Sequence, residues 1–129
     1  MADQKLIENW LDKANEDLAF AKANLEEGLD FYTQICFHFH QAAEKFLKAY
    51  IIAKGLNFKK IHDLTKLRQT CAEKDREFNK LSEEAKILNP FYIGARYPDF
   101  LITTDKPRAE KAFKAVEKIK SFVESKLSV

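Results

Sequence analysis

Apolar residues recur three and four positions apart along almost the whole chain, the spacing of one face of an α-helix. From Asp3 to Glu27 the stripe is Ile7, Leu11, Ala14, Leu18, Ala21 and Leu25, widened by Trp10. Gly28 is a natural stop, because the left-handed backbone that ends many helices costs glycine nothing. The second segment runs from Phe31 to Lys54 and stops at Gly55. Its stripe of Ile35, Phe39, Ala42, Phe46, Ala49 and Ala53 is broadened by Cys36, Ala43, Leu47, Tyr50 and Ile51. The resulting arc is roughly 200° wide, which places this helix in the middle of a bundle, with neighbours on more than one side.

Leu56 to His62 reads as a connector. Asp63 is placed to cap a short helix carrying Leu64, Leu67 and Cys71, with Ile61 as a hydrophobic staple. A charged stretch, Glu73 to Lys80, separates it from a fourth helix that Ser82 can cap and in which Ala85, Leu88, Tyr92 and Ala95 share a face. Pro90 should kink or split that helix, since proline lacks the N–H and crowds the preceding turn. Tyr97-Pro98 ends it. Thr104 or Asp105 opens a last helix, with Pro107 tolerated in its first turn. Its stripe is Ala109, Ala112, Phe113, Val116, Ile119, Val123 and Leu127. With no internal repeat and no linker, the expectation is an all-α protein: one domain over residues 1–129, an antiparallel up-and-down bundle of four to five helices.

Composition narrows the function more than the fold. A net charge of +2 is too small for a nucleic-acid arm or a basic membrane anchor. Three glycines exclude a glycine-rich phosphate loop. Two cysteines make no disulfide framework, and Asp3, Lys5, Glu8 and Asp12 break up the N-terminus, so a reduced, cytoplasmic protein with no membrane segment is expected.

The informative residues are polar ones that fall inside apolar arcs. On the second helix His40 projects between Leu47 and Ile51, with Glu44 one turn later and Lys48 after it. Asp17 projects between Leu6 and Trp10, and Arg96 lies one turn beyond Tyr92. Buried charges need partners, so Asp17, His40, Glu44, Tyr92 and Arg96 are expected to converge. Such a cluster either fixes helix register or forms a pocket in which Arg96 grips phosphate and Tyr92 stacks on a base. Phe37 and Ile52 project onto the polar side of the second helix and read as a contact surface between two copies of the chain. A metal is not expected: His38 and His40 point about 160° apart on a helix, and no CxxC or HxxxH pair exists. No other cofactor is implied. Cys36 reads as a small core residue, and His62 as a residue serving the turn before Asp63.

The stretch Cys36-Phe37-His38-Phe39-His40-Gln41-Ala42-Ala43-Glu44-Lys45-Phe46-Leu47-Lys48-Ala49 resembles the signature helix of HEPN domains, the higher eukaryotes and prokaryotes nucleotide-binding family. Trp10 and Asp17-Leu18 are similar to that family's opening helix, and His62-Asp63-Leu64 and Ala95-Arg96-Tyr97-Pro98-Asp99 to two later motifs. The resemblance implies a helical bundle, usually dimeric, that often partners a minimal nucleotidyltransferase. It also implies kinship with metal-independent ribonuclease toxins, whose motif is an Arg followed four to six residues later by a His.

That motif is absent here. Every histidine (His38, His40, His62) precedes every arginine (Arg68, Arg76, Arg96, Arg108), and the positions after Arg96 include Leu101, Ile102 and Thr103, none of which exchanges a proton. The reading is therefore a non-catalytic HEPN module, homodimeric, partnered with a minimal nucleotidyltransferase in a toxin–antitoxin-like pair. It would bind nucleotide or RNA through Asp17, His40, Glu44, Lys48, Tyr92, Arg96 and Tyr97. The alternative is a metal-independent ribonuclease using His40 and Arg96.

Overall fold

Asp3 has an extended backbone and accepts a hydrogen bond from the Lys5 amide, and from there α1 runs Gln4–Glu26. The helix stops where the periodicity predicts, at Gly28, whose φ of +76° is strained for any residue with a Cβ. The next helix, α2 (Tyr32–Ala53), ends in the same way before Gly55 at φ +64°. The computed structural model describes residues 3–96 and 104–128, with the side chains of 94–96 outside the description. Among the described residues follow α3 (Leu64–Lys74), a 3-10 segment (Arg76–Leu81), α4 (Ser82–Leu88), α5 (Pro90–Arg96) and α6 (Lys106–Leu127).

The wide apolar arc of α2 has the consequence its width implies. It packs against α1, α3, α4, α5 and α6, and is the axis of an all-α bundle. Phe39, Phe46, Leu47 and Ile51 are among its fully buried side chains. Their partners include Ile7, Leu11, Leu18 and Leu25 of α1 and Ala112, Val116, Ile119 and Val123 of α6, all in one core. Burial of a large aliphatic or aromatic side chain contributes about 1.5–3 kcal/mol, so α2 supplies much of the favourable energy of folding.

Pro90 splits the fourth helical stretch into α4 and α5, as its missing N–H requires. Asp63 caps α3 by accepting from the Thr65 and Lys66 amides, and Asp105 caps α6 by accepting from Arg108 N. Two expectations fail. Ser82 is not a cap: the 3-10 segment runs straight into α4, and the Ser82 amide already donates to the Asn79 carbonyl. Nor is the charged stretch a mere spacer. Phe78 within it is fully buried, its ring 4.4 Å from Tyr50 and 4.9 Å from Phe122. Lys126 of α6 clamps the same stretch by pairing with Asp75 at 2.8 Å and with Glu77. Hydrogen bonds from Lys126 hold both carboxyls below their usual range. One aromatic anchor outweighs the charge pattern around it. Phe78→Ala should lower the unfolding free energy by about 3–5 kcal/mol in a urea titration, whereas a spacer would tolerate the change.

Candidate functional site

On α2, residues four apart share a face, and His40, Glu44 and Lys48 form such a row. All three are buried: His40 is 0%, Glu44 5% and Lys48 4% exposed. The row survives burial because each member finds a partner. Glu44 Oε2 accepts from Lys48 Nζ at 2.8 Å, and Glu44 Oε1 accepts from His62 Nδ1 at 2.9 Å. His40 Nε2 donates to the His62 main-chain carbonyl at 3.0 Å. One turn of α2 thus grips His62 twice, by ring and by backbone.

The His62 ring then stacks on Tyr92 of α5, with centroids 4.4 Å apart and planes 17° from parallel. His40 lies 5.6 Å from the same tyrosine ring. Asn89, the residue before Pro90, ties α5's start to α3: its Oδ1 accepts from Leu64 N at 2.9 Å, and its Nδ2 donates to Asp63 at 3.1 Å. These contacts frame a cavity of about 350 Å³ lined by Ile61, His62, Asp63, Lys66, Asn89, Tyr92 and Ile93. The His62 side chain is 39% exposed, and its Nε2 bonds no described residue. It is a carboxylate-oriented imidazole with one nitrogen left over, a group able to accept or donate a proton at the cavity wall.

Of the residues the sequence singles out, His40, Glu44, Lys48 and Tyr92 converge. Asp17 does not. It pairs with Lys45 and stands 3.7 Å from His38 Nδ1, forming a separate group between α1 and α2. The reason is angular: Lys45 lies about 100° round the helix from Glu44, on the flank that faces α1. Arg96 closes α5, but its side chain and the whole of Tyr97 lie outside the described residues. Phe37 and Ile52 are half-buried rather than free, because Ile52 packs on the edge of the core and Phe37 meets the His38 ring. His62 is the member sequence reasoning missed. The signal for it was the need of a buried carboxylate for a second cation or donor, beside a histidine at the end of an irregular connector.

Among the described residues no group of histidines, cysteines and carboxylates could hold a metal. Burial pushes the Cys36 and Cys71 thiols up to about 12, so neither is a thiolate nucleophile.

Burial also lowers the His40 pKa from its ordinary 6.5, against the opposing pull of the Glu44 carboxylate. Well above pH 6.5 the ring is neutral whether the chain is folded or not. Below that, the unfolded chain takes up a proton that the folded one refuses, and stability is lost as the pH falls. The urea midpoint should drop from pH 7 towards pH 5, with up to about 1.4 kcal/mol per pH unit from this group. His40→Gln should flatten that slope, and an unaltered slope would remove His40 as its source.

A model of the HEPN domain family matches residues 7–126. Among solved structures, TT1696 from Thermus thermophilus is 33% identical, with a TM-score of 0.82 over 93% of this chain and 97% of its own. An HEPN domain protein from Thermotoga maritima is 28% identical, with a TM-score of 0.74 over 93% of this chain and 98% of its own. An archaeal HEPN homologue at 23% identity, with a TM-score of 0.74 over 93% of this chain and 96% of its own, shares the fold. No curated protein matches. With a family match that spans nearly all its helices, the chain belongs to the HEPN domain family.

Proposed function

We propose that the cavity beside His62 and Tyr92 is the ligand site of a non-catalytic HEPN binding module that takes a nucleotide or a stretch of polynucleotide. It acts as a homodimer beside a minimal nucleotidyltransferase, in a toxin–antitoxin-like pair. The observation that carries the reading is the stacked His62–Tyr92 pair on the wall of a cavity that also presents the exposed ammonium of Lys66. A flat aromatic pair offers a π-face that any nucleobase can stack on, worth about 1–3 kcal/mol per base. Lys66 supplies charge for a phosphate. Arg96, one turn after Tyr92 in α5, is the proposed second phosphate ligand, with Tyr97 beside it. His40, Glu44 and Lys48 hold the site from behind. The nucleotidyltransferase partner is supported by the family resemblance of the signature helix.

The dimer reading is supported by aromatic residues across α1 and α2. Phe20 is 55% exposed, its ring centroid lies 4.9 Å from that of His38, and Phe37 flanks the same histidine. A second reading, a metal-independent ribonuclease, is favoured by the Glu44–His62 hydrogen bond. His40 does not suit that role, because it has no exposed surface and its Nε2 is already bonded. A cleaving enzyme of this shape would use His62.

Calorimetric titration with AMP, GMP, CMP and UMP is expected to show saturable binding. Tyr92→Ala should weaken it about tenfold or more, and Arg96→Ala should weaken it as well. No heat with any of the four, together with no nucleotidyltransferase retained in a pull-down, would overturn the reading. RNA incubated with the protein and a chelator should stay intact, whereas cleavage abolished by His62→Ala would select the ribonuclease instead. Light scattering should report twice the chain mass, with Phe20→Glu shifting the protein towards monomer, and a monomeric wild type would remove the dimer.

A further inference from the structure

Between α4, the start of α5 and α6 lies another cavity, of about 190 Å³, lined by Lys86, Ile87, Pro90, Phe91, Arg108 and Lys111. It shares none of these residues with the cavity at His62 and Tyr92. Three of the six are cations, three are apolar, and no acidic residue is among the described lining. In a chain whose net charge is +2, that is a local concentration of positive charge.

The acids nearest in sequence do not neutralise it. Lys86 and Lys111 are exposed, and neither forms an ion pair with a described residue, Glu83 one turn before Lys86 included. Glu84 is turned to Lys118 at 3.2 Å, and Asp105 caps α6 through the Arg108 amide. Glu110 lies about 100° round α6 from Lys111. The third cation has a fixed place: the Arg108 guanidinium stands over the ring of Phe91, 5.8 Å from its centroid, and Phe91 is itself buried.

Lysine and arginine side chains donate hydrogen bonds and accept none, while those of Ile87, Pro90 and Phe91 do neither. The occupant that suits such a wall is all acceptor and carries more than one negative charge. A carboxylate or an internal phosphodiester brings a single charge to three cations. A terminal phosphate brings about −1.5 to −2 at pH 7 and three acceptor oxygens. The volume agrees, since it falls below the roughly 300 Å³ at which cavities begin to enclose a whole small ligand and so takes the charged group alone. We propose that this cavity binds a terminal phosphate group, that of inorganic phosphate or of a phosphate monoester, held by Lys86 from α4 and by Arg108 and Lys111 from α6. It is separate from the nucleotide site proposed at His62 and Tyr92 and does not depend on it.

The experiment is calorimetric titration at pH 7 and one ionic strength, because salt screens such contacts. Inorganic phosphate is expected to bind saturably. Dimethyl phosphate, with one charge, should bind about tenfold more weakly or worse, and Lys86→Gln combined with Lys111→Gln should weaken inorganic phosphate by a similar factor. Each single replacement should give a smaller loss in the same direction. Lys114→Gln removes an exposed charge of α6 outside the cavity, and Tyr92→Ala alters the other cavity; both should leave phosphate affinity unchanged. Ribose 5-phosphate distinguishes the sources: affinity equal to that of inorganic phosphate indicates a group carried on a larger molecule, and no binding indicates the free anion. Absence of saturable binding by either would overturn the site. So would full affinity in the folded lysine variants, as judged by circular dichroism, or equal affinity for dimethyl phosphate. An equal loss with Lys114→Gln would reduce the effect to diffuse charge, and a loss with Tyr92→Ala would move the anion to the His62 cavity; either would overturn the site as well.

Discussion

Glu44 is a carboxylate with almost no water, and the rest of the site follows from that. Its two oxygens go to different segments of chain: one to Lys48 on its own helix, the other to His62 on the connector before α3. Removing one partner of a buried pair leaves an uncompensated charge, at a cost of about 3–5 kcal/mol. The connector is therefore fixed to α2 as firmly as a packed helix would be, although residues 56–63 contain no regular structure. Its other end is fixed by similar means. Phe58 lies under the Lys48 ammonium at 5.5 Å and meets the edge of Trp10 at 5.6 Å. Trp10, Phe58, Lys48, Glu44, His62 and Tyr92 make one continuous chain of contacts from α1 to α5.

Only the central helix of the bundle could support such an arrangement. The elements packed on the buried face of α2 exclude water from the His40–Glu44–Lys48 row, and this strengthens each charge contact while making each one obligatory. The same exclusion keeps His40 neutral, so its ring serves as a donor to the His62 carbonyl rather than as a cation. The His62 ring is held in one orientation, its Nδ1 donating to the carboxylate, on the wall of the cavity. A side chain fixed by both ring and backbone is a better platform for recognition than one on a free loop.

The helices were legible in the sequence because their determinants are local. The three- and four-residue spacing of α1, α2 and α6, the glycines at 28 and 55, the aspartate caps at 63 and 105 and the break at Pro90 each act within a turn or two. The 3-10 segment was not legible, because the energy that forms it comes from Phe78 meeting Tyr50 and Phe122, residues 28 and 44 positions away. The site divides in the same manner. His40, Glu44 and Lys48 stand out as polar residues at a four-residue spacing in an apolar arc, and that they must be satisfied follows from electrostatics alone. Their partner does not follow, since nothing local distinguishes a histidine serving a turn from one bonded to a carboxylate 18 positions back. Asp17 misled for the converse reason: its projection was correct, but Lys45 on the flank of α2 was nearer than the row that starts at His40.

A network that only set helix register would be closed on all sides, with every member buried and every donor and acceptor used. The inner members meet that description: His40 and Lys48 touch no solvent to speak of, and their bonds are internal. The outer members do not. His62 keeps a nitrogen that bonds no described residue, Tyr92 is half-buried on the same cavity wall, and Lys66 adds a charge that pairs with no described residue. Structural and recognition roles are thus separated by depth along one chain of contacts. The deep end is a fixed cost of folding, since losing Lys48 would strand Glu44 and losing His40 would take a donor from the His62 carbonyl. The shallow end is where a ligand can exchange contacts with the protein while the bundle behind it stays intact.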